Sequence, residues 1–124
     1  MRYFIDTNCC IYLFANRYPV LNARVLTTDQ GDICLSTVVF AELALGSMNG
    51  KAPSVAALDQ LARQMPILPF DEAAARAYGA LPFKRGRFDR LLAAHAMSLN
   101  MGVITRNVAD FSDIPGLQVE DWTV

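Results

Sequence analysis

Residues 88–107 read FDRLLAAHAMSLNMGVITRN, and this stretch decides the fold. Phe88, Leu91, Leu92, His95 and Leu99 recur at helical spacing, which predicts a helix through FDRLLAAHAMSLNM that Gly102 would end. GVITR follows at once, a short run rich in apolar and β-branched residues of the kind that forms a buried strand. A helix that hands directly to a buried strand is the returning half of a strand-helix-strand unit, so the rest of the chain should repeat the alternation.

It does so in both directions. Toward the N-terminus, Asp71 and Glu72 suit the opening of a helix through EAAARAYGAL, and PILPF before it reads as a strand. A helix through VAALDQLARQM comes earlier, after the polar loop SMNGKAPS. Before that loop lies the apolar segment VFAELALG, which Gly46 would close. DICLSTV reads as a strand, PVLNARVLTTDQ as a helix from Pro19 to Gly31, and RYFI as a first strand leading into NCCIYLFA, a helix that Asn8 can cap. Toward the C-terminus, NVADF reads as a turn or short helix and LQVEDW as a last strand. Strands alternating with helices predict a single domain over residues 1–124, a three-layer α/β/α sandwich around a mainly parallel sheet of about five strands.

Composition narrows the function classes. Of the 124 residues, 53% are hydrophobic and 19% charged, which suits a packed core and excludes a disordered segment. No apolar run reaches the ~18–20 residues that a membrane helix needs, so a cytoplasmic protein is expected. Cys9, Cys10 and Cys34 have no zinc or disulfide spacing and read as buried thiols. The net charge of −1 gives no global attraction to nucleic acid, so such a partner would need a local basic patch.

Ligands of open parallel sheets bind beyond the carboxyl ends of the strands. On this order of elements Asp6 ends the first strand, Glu42 lies on the helix after the second, Asp89 opens the helix before the fourth, and Asp110 follows the fourth. Carboxylates gathered there repel one another unless a cation sits among them, and hard oxygen ligands favour Mg²⁺ or Mn²⁺. Each acid also has a plainer reading. Asp6 suits a turn, Asp89 a favourable helix N-terminal charge, and Asp110 a loop; Glu42 alone sits awkwardly in a segment apolar nearly all round. His95, on an apolar helix face, reads as a packed core residue.

FIDTN, STVVFAELALG, DRLLAAHAMSLNMGVITRNVADF and IPGLQVEDW, in this order, resemble the PIN domains, and specifically the VapC-type toxins of bacterial toxin–antitoxin pairs. The resemblance implies a Mg²⁺- or Mn²⁺-dependent endoribonuclease that leaves 5′-phosphate and 3′-hydroxyl ends. It also implies inhibition by a VapB-like antitoxin, a homodimer, and contact with operator DNA only through the antitoxin. The family's acidic site falls on Asp6, Glu42, Asp89 and Asp110, and its supporting polar positions on Thr7, Asn8, Thr105 and Asn107. The segment before Asp89 is shorter than in the family, and Arg106 stands where relatives often carry Asn. Lys84, Arg85, Arg87 and Arg90, with Arg106, form the expected RNA-contacting patch. Two rivals are a haloacid-dehalogenase-like phosphatase, which wants a second Asp where Asn8 stands, and a catalytically silent PIN module that binds RNA or protein.

Overall fold

A computed structural model describes residues 1–82 and 88–124. The strands are β1 (Tyr3–Ile5), β2 (Ile33–Ser36), β3 (Ile67–Leu68), β4 (Gly102–Ile104) and β5 (Val119–Glu120). They form one sheet in the order β3-β2-β1-β4-β5, and every neighbouring pair is parallel. The helices are α1 (Thr7–Ala15), α2 (Pro19–Thr27), α3 (Thr37–Met48), α4 (Val55–Gln64), α5 (Glu72–Gly79) and α6 (Phe88–Leu99), with a 3₁₀ turn at Val108–Phe111. The architecture is a three-layer α/β/α sandwich.

The chain builds outward from β1 to β2 and β3, then returns to the other side of β1 for β4 and β5. Strand order therefore reverses between β1 and β4, and a crevice at the carboxyl ends of those two strands is where such sheets take ligands. Asp6 follows the end of β1 and Thr105 follows the end of β4, so the reversal alone makes them neighbours. Short strands suffice because they are buried. Phe4, Ile5, Cys34, Leu35, Val103 and Ile104 are fully covered, and each large apolar side chain so placed stabilises the fold by about 1.5–3 kcal/mol.

Several boundaries differ from the sequence expectation. The β2 strand stops at Ser36, whose hydroxyl caps α3 by accepting from the Val38 amide, so Thr37 and Val38 are helical. Helix α3 passes through Gly46 to Met48, and α2 ends at Thr27, well before Gly31, which turns the chain at φ 93°. Asn100, at φ 54°, ends α6 in place of Gly102. Gly102 instead opens β4 opposite Tyr3, where a Cβ would stand 2.7 Å from the Tyr3 ring. The buried face of α6 also shifts: Phe88 and Leu99 are exposed, and Leu92, Ala93, His95 and Ala96 pack inward. Alanines let α6 approach its neighbours closely, which a search for large apolar residues overlooks.

Candidate metal and RNA site

Asp6 caps α1. Its backbone is extended (φ −77°, ψ 168°) and its Oδ1 accepts from the Cys9 amide at 2.8 Å. The expected cap, Asn8, is exposed in the first turn. The other oxygen, Oδ2, accepts from the Thr105 hydroxyl at 2.5 Å, and Thr105 Oγ1 in turn accepts from the Asn107 amide at 3.1 Å. Thr105 is 0% exposed and Asp6 4% exposed. Next along α1, the Thr7 hydroxyl donates to Glu42 Oε1 at 2.7 Å, tying α1 to α3. Both carboxylates are thus oriented by threonine hydroxyls on adjacent elements.

Neither Asp6 nor Glu42 forms an ion pair with any other described residue. Burying a carboxylate without a counter-charge is costly, because the lost hydration is only partly replaced by hydrogen bonds. Its field reaches nearby groups: burial and then the Asp6 charge push both the Cys9 and Cys10 thiols upward, so the two cysteines are inert neutral packing. The donors here are all oxygens, the set a hard divalent cation prefers. Glu42 and Thr7 border an open groove of about 400 Å³ that also touches Ile11, Asn49 and Lys51.

The remaining acids are arranged differently. Asp89 is half-buried in the first turn of α6, and Asp110 is exposed in the 3₁₀ turn, its amide bonded to the Asn107 carbonyl at 3.0 Å. Among the described residues, no three acids, cysteines or histidines are gathered closely enough to hold a metal ion. The four acids follow the expected elements but do not close into one compact cluster.

The basic residues need a correction. Arg90 is 6% exposed, so it cannot offer its charge to RNA from the surface. Its guanidinium pairs with both oxygens of Asp113, at 2.9 and 3.1 Å, and donates to the Pro82 carbonyl at 2.8 Å. It joins the first turn of α6, beside Asp89, to the segment after the 3₁₀ turn that carries Asp110. Lys84, Arg85 and Arg87 lie outside the described residues. Arg106 is exposed, one residue from Thr105, with its guanidinium 5.3 Å from the centre of the Tyr18 ring. Arg17 lies 5.6 Å from the same ring centre, a juxtaposition of distant segments that no local motif announces.

His95 is a core residue. It is 1% exposed, lies against Phe4 and Phe70 at ring-centre distances of 4.5 and 5.5 Å, and its Nδ1 sits 2.9 Å from Ser36 Oγ. Burial holds its imidazole below the ordinary value of 6.5, against the opposing pull of Asp71 and the Pro69 carbonyl.

Comparison with known proteins gives one answer. Residues 3–117 match the PIN domain. The chain is 37% identical to Ribonuclease VapC1 of Haemophilus influenzae (strain R2866), covering 99% of each chain. It is 29% identical to the tRNA(fMet)-specific endonuclease VapC of Shigella flexneri, again over 99% of each. Among solved structures, DNA-bound VapBC from Salmonella typhimurium superposes with a TM-score of 0.86 at 28% identity, covering 98% of each chain.

Proposed function

Because the chain belongs to the PIN-domain family, among its VapC ribonucleases, we propose that it is an endoribonuclease toxin that works with Mg²⁺ or Mn²⁺ and is silenced by a VapB-like antitoxin. The observation that carries the metal-dependent reading is Asp6: a buried carboxylate at the strand-order reversal, bonded to neutral groups of Cys9 and Thr105 and with no cationic partner among the described residues. A cation meets that unfilled demand. Mg²⁺ commonly takes only one or two protein carboxylates and completes its shell with water and substrate phosphate oxygens, so a compact three-acid cluster is not required.

In this reading Asp6 is the central ligand and Glu42, Asp89 and Asp110 contribute directly or through water. A bound Mg²⁺ or Mn²⁺ supplies an activated water and offsets the charge on the leaving oxygen of a phosphodiester. The chain's own part is orientation. Thr105 fixes the Asp6 carboxylate from β4, Thr7 fixes Glu42, and the Asn107 amide fixes Thr105 in turn. Outer contacts of this kind set both the direction and the basicity of ligating oxygens. Asn8 and Asn107 offer further neutral hydrogen bonds at the exposed rim. The VapBC kinship supports an antitoxin partner; a homodimeric state and operator contact through the antitoxin alone are carried over from the family resemblance. No helix among the described residues is long and apolar enough to cross a membrane.

The test is cleavage of a cellular RNA pool by the purified, antitoxin-free protein. Cutting should stop with EDTA and return with Mg²⁺ or Mn²⁺. Absence of metal-dependent cutting from every RNA class would sink the ribonuclease reading and leave a silent module.

A further inference from the structure

An acidic site on a chain of net charge −1 repels the RNA it is proposed to cut, so its cations must be local. Three of the described arginines are already neutralised: Arg24 by Glu120, Arg76 by Glu72 and Arg90 by Asp113. Arg2, Arg17, Arg63 and Arg106 are all exposed and form no ion pair with a described carboxylate, and of these Arg17 and Arg106 share one aromatic ring.

They reach one place from distant parts of the chain. Arg17 lies in the turn between α1 and α2, where Asn16 at φ 51° bends the backbone, and Arg106 follows β4. Their guanidinium carbons lie 5.6 and 5.3 Å from the centre of the Tyr18 ring, which Tyr12 braces edge-on at a centre distance of 5.0 Å. Each cation–ring contact at an exposed site is worth roughly 0.5–1 kcal/mol. That gain is opposed by the mutual repulsion of two like charges brought to one ring. A phosphate within reach of both guanidiniums would be attracted by each, and the forked guanidinium suits phosphate oxygens. The location matters as much as the charge, because Arg106 adjoins Thr105, whose hydroxyl holds Asp6.

We propose that Arg17 and Arg106, held on the ring of Tyr18, form a clamp for a backbone phosphate of the RNA strand beside the one that is cut. The assignment rests on the ribonuclease reading and names where its substrate is gripped. A bond to phosphate carries no base information, so the clamp positions RNA without selecting its sequence.

The experiment measures anisotropy of a 5′-labelled single-stranded oligoribonucleotide over a salt series, with full-length protein carrying Asp6→Asn so that no cutting intervenes. R17Q/R106Q in that background should lower the slope of log affinity against log salt by about 0.7, the mark of one fewer phosphate neutralised on a single strand. The decrease should be equal for oligonucleotides of unrelated sequence. Tyr18→Leu, which removes the ring that both arginines meet, should also reduce the slope. With Asp6 restored, R17Q/R106Q should raise KM for RNA cleavage and leave kcat near the parent value. If the parent cuts RNA but the double variant keeps the full salt slope, the clamp is wrong and the ribonuclease reading stands. If the parent neither cuts nor binds RNA, the ribonuclease reading fails and the clamp with it.

Discussion

Two carboxylates of this molecule, Glu120 and Asp6, are handled in opposite ways. Glu120, at the end of β5, is saturated. Its Oε2 accepts from the Tyr3 hydroxyl at 2.7 Å and from Gln118 at 2.6 Å, and its Oε1 from the Trp122 indole at 3.0 Å, with Arg24 at 3.6 Å. Arg24 also covers the Trp122 ring at 4.2 Å, and Tyr3 meets that ring edge-on. The Tyr3 and Trp122 hydrogen bonds hold the Glu120 carboxyl below its ordinary range, and the same bond to Glu120 raises the Tyr3 phenol. Asp6 is more buried than Glu120, yet has only neutral partners, the Cys9 amide and thiol and the Thr105 hydroxyl, and no described cation. Glu120 is surrounded until its charge is spent; Asp6 is oriented and left short of charge, which is what the proposed ligand role asks of it.

The sharpest way to break this comparison is to neutralise each acid. Asp6→Asn should reduce RNA cleavage by about 10³-fold or more, roughly 4 kcal/mol of transition-state stabilisation. Without added metal its melting temperature should hold or rise, because asparagine still caps α1 and a buried uncompensated charge is gone. An Asp6→Asn protein that cuts like the parent would remove Asp6 from the site. Next in size, Thr105→Val deletes the donor to Oδ2 while keeping the side-chain shape. Cleavage and the midpoint of its Mn²⁺ dependence should weaken by about 10–100-fold; an unmoved midpoint would make Thr105 mere packing.

Glu120→Gln inverts the pattern. Cleavage should persist and thermal stability should fall by about 1–2 kcal/mol, the scale of hydrogen bonds to a charged acceptor at a partly exposed position. Loss of activity at unchanged stability would overturn the contrast between the two acids. The smallest effect concerns His95. Its folded-state value lies below the ordinary 6.5, so the unfolded chain takes up the proton first as pH falls. The stability it contributes is full above about pH 6.5 and is lost as pH drops toward the lowered value. Melting temperature should decline over that window in the parent and decline less in His95→Asn; identical slopes would discount the imidazole.

Alternating strand and helix patterns made the layered parallel sheet legible, because period and turn chemistry are local properties of the chain. The element on which each acid rides was legible for the same reason. Helix ends were harder. Gly31, Gly46 and Gly102 looked like stops, but Asn100 closes α6, and Gly102 is needed where the Tyr3 ring crosses β4. Asp6 takes its plainer reading, one oxygen turning the chain into α1, while the other accepts from Thr105, a partner 99 residues away that no local pattern marks.

What the amino-acid order determined by itself was therefore the succession of elements, the family likeness and the acids at strand ends. Only the tertiary structure decided how charge is distributed among them. Arg90 looked like part of a basic patch until folding buried it against Asp113, and Arg17 and Arg106 looked unrelated until one tyrosine ring held both. The reason is physical: hydrophobic periodicity acts within a few residues, whereas the partner that neutralises a charge is set by which distant segments the sheet brings within hydrogen-bonding reach.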